Sequence, residues 1–183
     1  IDLEIEKIEA ILKKIESDPE PWSIKSTEYN LWQKIREKCI NGRRTGLGIT
    51  AEGDMLAALN FRYGSNESIE FSTQVHKTLA ISAYRSSVAL AKERGSFELY
   101  NPELEKENPF LNRIKDCEPE LYKSMCKDGR RNIALLTIAP TGTTSLMTQT
   151  SSGIEPAFLI NYKRRKKINP FDENSNSKFT DLN

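Results

Sequence analysis

Residues 133–139, Ile-Ala-Leu-Leu-Thr-Ile-Ala, make a near-continuous apolar run between Arg130, Arg131 and Asn132 on one side and Pro140 on the other. A run this short and unbroken suits a strand buried on both faces. The residues after it constrain the chain as strongly, because Pro140, Thr141, Gly142, Thr143, Thr144 and Ser145 set a turn glycine among four hydroxyl residues. Where such a segment opens a helix, the free backbone N–H groups carry partial positive charge. The Thr and Ser hydroxyls add donors, so a phosphate could be cradled without any lysine. This is not the Walker pattern, since no Gly-Lys-Ser/Thr follows, and a polar turn with an N-cap is the competing reading. Ser152-Gly153-Ile154-Glu155-Pro156 follows closely enough to close the same pocket, or else Glu155 is a turn residue beside a rigid proline.

Elsewhere the pattern is mainly helical. Ile1, Ile5, Ile8, Leu12 and Ile15 give one apolar stripe over residues 1–17, stopped by Pro19 and Pro21. A second helix is expected from Ser26 or Thr27, either of which can cap it, with Leu31, Trp32, Ile35 and Cys39 on one face and Asn41-Gly42 at its end. Arg43-Arg44-Thr45-Gly46-Leu47-Gly48-Ile49-Thr50 is too rich in glycine for a helix interior. It reads as a short strand with close backbone packing that leads into a helix over residues 52–59. After a turn at Tyr63-Gly64-Ser65-Asn66, the spacing of Phe71, Val75, Leu79, Ala83 and Leu90 predicts a helix of about 40 Å that ends at Arg94-Gly95. Residues 96–112 carry Pro102 and Pro109 and read as irregular, and a short helix over residues 118–127 takes Pro119 in its first turn. Beyond Phe158 the chain turns polar, with a basic run from Lys163 to Lys167 read as a solvated turn or edge and residues 169–183 as loop or disorder. The amphipathic pattern starts at Ile1 with no capping residue before it, which suggests a piece of something longer.

Charge and composition remove several classes of function. With 27 Lys+Arg against 26 Asp+Glu the net charge is +1, so no electrostatic footprint for a nucleic-acid partner exists. A mean hydropathy of -0.59 and the lack of an apolar run near 18 residues exclude a membrane span. Cys39, Cys117 and Cys126, with no CxxC pair and the single His76, give neither a disulfide scaffold nor a metal site. Cys39 reads as a buried, inert thiol. No secretory signal opens the chain, so a reducing cytoplasm is the expected location. His76 reads as a packed or surface residue, and Arg43-Arg44 and Arg130-Arg131, either of which could meet a phosphate, as charges flanking strands that are ordinarily solvated.

Three segments are distinctive together: Arg43-Arg44-Thr45-Gly46-Leu47-Gly48, then Leu90-Ala91-Lys92-Glu93-Arg94-Gly95-Ser96-Phe97. The third runs from Arg131-Asn132 through Thr137-Ile138-Ala139-Pro140-Thr141-Gly142-Thr143 to Ser152-Gly153-Ile154-Glu155-Pro156. They resemble the catalytic subunit of ribonucleotide reductase over residues 1–167, most closely the adenosylcobalamin-dependent class, although the diiron-partnered class shares several of the motifs. The resemblance implies an α/β fold: part of a ten-stranded α/β barrel, helix-rich with a few short buried strands. Residues 1–167 would be a later-half segment of that barrel and residues 168–183 a polar, flexible end.

The resemblance also implies that Pro140, Thr141, Gly142, Thr143, Thr144 and Ser145 form the loop that binds the phosphates of a ribonucleoside di- or triphosphate. Such a loop positions substrate and breaks no bond itself. The family's radical chemistry uses a thiyl cysteine in an Asn-x-Cys-x-Glu segment and two further cysteines that form a disulfide. Cys39, Cys117 and Cys126 match none of these positions, so no catalytic residue is expected in this chain. Adenosylcobalamin, the remaining segment of the catalytic subunit and a thioredoxin-type reductant are the implied cofactor and partners. The contrasting expectation is a non-catalytic nucleotide-binding or interaction module built on the same fold, and a third is a purely helical scaffold.

Overall fold

A computed structural model describes residues 1–159, 161, 163–167 and 179–182. Two antiparallel helices open the chain. Helix α1, Asp2–Ser17, buries Ile8, Leu12 and Ile15 against α2, Trp22–Gly42, as its apolar stripe predicts. Helix α2 begins four residues before Ser26, with Pro21 at its N-cap and no capping side chain. The cause is Lys25, whose Nζ donates to the carbonyls of Glu16 at 2.9 Å and Asp18 at 2.7 Å. The first turn of α2 thereby satisfies the orphan carbonyls at the end of α1. No residue of α2 is fully buried, so its apolar face is a partial contact rather than a core face.

The core forms around the long helix. After α3, Glu52–Ala58, comes α4, Asn66–Arg94, whose 29 residues span about 43 Å. Ser65 caps α4 by accepting from the Ser68 amide. Ile81, Tyr84 and Val88 of α4 pack with Leu111 and Ile114 of α5, Pro109–Cys117, and with Leu121 and Met125 of α6, Pro119–Asp128. Both short helices place a proline in their first turn, where a missing N–H costs nothing. Helix α5 begins inside the stretch expected to be irregular and runs past it, because Asn108 caps it by accepting from the amides of Phe110 and Leu111.

Residues 133–139 depart from the buried strand expected of them. The Leu47 amide donates to the Leu135 carbonyl at 2.7 Å and the Thr137 amide to the Leu47 carbonyl at 3.0 Å, a parallel pairing centred on Leu47 and Leu136. Leu135 joins the core and Leu136 packs against it, but Thr137, Ile138 and Ala139 are exposed. The helical core reaches only the first half of the run, so the second half stands at the surface on its way into α7, Gly142–Thr148. The close packing expected of the glycines is present. A Cβ on Gly46 would lie 2.4 Å from Thr137 Cγ2, and one on Gly48 would lie 1.9 Å from the Thr137 carbonyl oxygen.

The described residues form no closed barrel. Their only other pairing is a two-stranded antiparallel sheet of β1, Arg164–Lys167, with β2, Phe179–Leu182, in the register Arg164 opposite Leu182 and Lys167 opposite Phe179. Strand β2 falls where a loop was expected, because extended pairing with the basic run satisfies its backbone. The rest of the polar end expected over residues 168–183 lies outside the described residues. Among the described residues no helix is long and apolar enough to cross a membrane.

Candidate functional site

Helix α7 begins where the anion cradle was expected. Its first intrahelical bond runs from the Ser145 amide to the Thr141 carbonyl at 2.8 Å. The amides of Gly142, Thr143 and Thr144 therefore precede the helical ladder, and no side chain caps them. Pro140, Gly142, Thr143 and Thr144 are exposed, and a Cβ built on Gly142 would meet nothing within 4 Å. One face of the turn is thus open to an incoming group, with the two threonine hydroxyls beside the free amides.

The other two hydroxyls of the loop serve the fold. Ser145 is buried and its Oγ donates to the Gly142 carbonyl at 2.9 Å, within its own helix. Thr141 Oγ1 donates to the Ser152 carbonyl at 2.5 Å. The turn at residues 151–156 therefore lies against the loop, as the sequence suggested, while Glu155 is exposed and accepts from Ser152 Oγ at 3.3 Å.

Sequence reasoning missed the residues that hold this pair of turns together. Thr50 Oγ1 lies 2.9 Å from Thr141 Oγ1 and 3.0 Å from the Ser151 carbonyl oxygen. Asp54 Oδ2 accepts from the Ser151 amide at 2.7 Å, and the Glu52 amide donates to the Gly153 carbonyl at 3.1 Å. Helix α3 approaches so closely that a Cβ on Gly53 would fall 2.5 Å from Pro156 Cα. Their sequence signals were slight: a hydroxyl ending the Gly46-x-Gly48-x-Thr50 stretch and an acid in the first turn of a helix.

The remaining candidates sit elsewhere. His76 Nε2 pairs at 2.8 Å with Oε2 of Glu52, which is 3% exposed, so α4 seats the first turn of α3. This pair borders an apolar cleft of about 660 Å³ that also touches Leu56, Ile69, Phe110 and Cys117. Arg130 is not solvated as expected but is buried in a paired contact with Glu105. Arg43 and Arg131 both reach Asp2, at 2.5 and 3.2 Å, and their charges hold the Asp2 carboxyl below its usual range, the Arg43 hydrogen bond being the largest cause. Cys39 is half-buried rather than buried, and Cys117 and Cys126 are exposed free thiols. Among the described residues no group of three His, Cys, Asp or Glu side chains could hold a metal ion.

Comparison with known proteins gives the geometry a context. Residues 22–182 match the family described as the barrel domain of ribonucleotide reductase. The chain is 33% identical over 122 residues to a vitamin B12-dependent ribonucleoside-diphosphate reductase of Mycobacterium tuberculosis, a match that covers 67% of this chain and 15% of that protein. A protein of the same name from Thermoplasma acidophilum is 37% identical over 133 residues, covering 72% of this chain and 15% of the relative. The alpha subunit of a Chlamydia pneumoniae ribonucleoside-diphosphate reductase is 32% identical over 145 residues, 68% of this chain and 14% of its own length. The chain thus spans about 15% of the length of the curated relatives it matches.

Proposed function

Because the chain belongs to the family of ribonucleotide reductase barrel domains, we propose that it is part of a catalytic subunit that converts ribonucleotides to 2'-deoxyribonucleotides, and that this part grips the substrate's phosphates. The observation that carries the reading is the open start of α7, where three amides without intrahelical acceptors stand beside the exposed hydroxyls of Thr143 and Thr144. Such a group stabilises a diphosphate by hydrogen bonding to oxygens whose charge the helix terminus favours. Pro140 sets the entry of the turn, Gly142 leaves its surface clear, and Thr141 and Ser145 hold its shape. The relatives' names favour a ribonucleoside diphosphate as substrate.

Radical chemistry lies outside this segment. Cys39, Cys117 and Cys126 lie in α2, α5 and α6 and match none of the family's cysteine motifs, so the thiyl cysteine and the reducing pair would belong to another part of the catalytic subunit, with a thioredoxin-type protein as electron donor. The two relatives named for vitamin B12 favour adenosylcobalamin as the cofactor of the whole enzyme. By the family resemblance, most of the contacts to adenosylcobalamin would lie outside this chain.

Steady-state kinetics on the protein as its source makes it, together with any partner chain that completes the reductase, tests the reading. Replacing both Thr143 and Thr144 by Val should raise KM for the ribonucleoside diphosphate about tenfold while kcat changes little, since two hydroxyl donors are lost. An unchanged KM would refute the assignment. A complemented protein that binds nucleotide without turnover would favour the non-catalytic module instead.

A further inference from the structure

The phosphate-binding loop does not hold its own position. Thr141 spends its hydroxyl proton on the Ser152 carbonyl, so at the 2.9 Å contact with Thr50 it is the acceptor. Thr50 has one proton, and it faces two acceptors, Thr141 Oγ1 and the Ser151 carbonyl oxygen. Asp54 takes the other polar group of the same residue, the Ser151 amide, in a charge-assisted bond of 2.7 Å. Both backbone groups of Ser151 are therefore held from residues 50–54, and the N-cap residue of α7, Thr141, is tied to Thr50 and to the Ser152 carbonyl. The clamp stands on firm ground. Thr50 follows the Gly46 to Gly48 stretch packed on residue 137, and α3 is seated by the pair between buried Glu52 and His76 and by the close approach of Gly53 to Pro156.

We propose that Thr50 and Asp54 are positioning residues for substrate phosphate: they fix the start of α7 through Thr141 and Ser151 without touching the substrate. The inference rests on the reading of that loop as the phosphate site. A displaced cradle keeps all its donors but meets the phosphate oxygens at the wrong distance, and small displacements of a binding group are costly. Loss of the clamp should therefore weaken phosphate binding as loss of a direct contact would.

The test uses the native, fully assembled enzyme, with ribonucleoside diphosphate as substrate and inorganic pyrophosphate as competing inhibitor. Thr50→Val, which keeps the shape and removes the hydroxyl, and Asp54→Ala should each raise the substrate KM and the pyrophosphate Ki in parallel by about tenfold, with kcat within about threefold. Thr50→Ser, which keeps the hydroxyl, should restore both constants. Unchanged constants in both variants would overturn the proposal, as would a Thr50→Ser enzyme as impaired as Thr50→Val. If Thr50→Val does not fold, Asp54→Asn carries the test: it leaves a weaker acceptor at the Ser151 amide and should raise Ki with kcat intact. The double Val variant at Thr143 and Thr144 separates the two claims. If it raises Ki while the clamp variants do not, the clamp fails and the phosphate site stands; if neither acts, the phosphate site itself is wrong.

Discussion

Arg130 shows how far a single residue can depart from its sequence context. Charges beside a strand are ordinarily solvated, yet the Arg130 side chain is 3% exposed and meets Glu105 through two nitrogens, at 2.5 and 2.6 Å. The guanidinium also lies 5.4 Å from the centroid of Phe97, 5.7 Å from Tyr100 and 5.9 Å from Tyr84, so an aromatic box replaces its hydration. Glu105→Ala would leave this charge buried without its partner and should destabilise the protein by about 3 kcal/mol in chemical denaturation; a change below about 0.5 kcal/mol would contradict the ion pair's role. Tyr100, in the same box, donates to the Met125 carbonyl at 2.6 Å, and burial pushes its phenol from an ordinary value of 10.0 up to about 12. An unfolded Tyr100 loses its proton near pH 10 while the folded one keeps it, so its stabilising contribution is complete below pH 10 and is lost as pH rises toward 12. Tyr100→Phe should flatten the fall in melting temperature over that window, and an identical fall in both proteins would rule the contribution out.

Among the elements, the helices were legible because their signals are local. The stripe from Ile1 to Ile15, the spacing from Phe71 to Leu90 and the proline at residue 119 predicted α1, α4 and α6 closely. The errors have long-range or competing causes. Helix α2 starts early because Lys25 reaches back to α1, and α5 forms among prolines because Pro109 is a helix starter once Asn108 caps it. The run over residues 133–139 was read from hydrophobicity alone, which does not report how far the covering helices extend. The glycines beside it were read correctly, since only they permit the approach of the two extended segments. Gly48→Ala would drive a methyl group to 1.9 Å from the Thr137 carbonyl oxygen and must part the pairing at Leu47 and Leu136. We expect a loss of about 2–3 kcal/mol and faster hydrogen exchange at the Leu47 and Thr137 amides; retention of both protections would show that the packing is looser than described.

At the scale of the whole molecule, the helical core leaves the start of α7 at the surface. Leu146 and Met147 of α7 are each about 80% exposed, and large apolar side chains elsewhere, Leu3 and Leu104 among them, are exposed too, so the exposed apolar surface is spread over the described residues. The chain spans about 15% of the length of its reductase relatives. The start of α7 was legible in the sequence because a proline, a glycine and four hydroxyls are contiguous there. The clamp was not, because Thr50 and Thr141 meet across 91 residues and only folding brings them together. That the cradle grips phosphate is the central claim, and the amides of Gly142, Thr143 and Thr144 report on it most directly. Hydrogen exchange on the native protein, with and without ribonucleoside diphosphate, should show these amides slowed by the nucleotide while the amides of the exposed 3-10 turn Pro102–Glu105 are unaffected. Equal exchange at Gly142, Thr143 and Thr144 in the presence of saturating nucleotide would contradict the account.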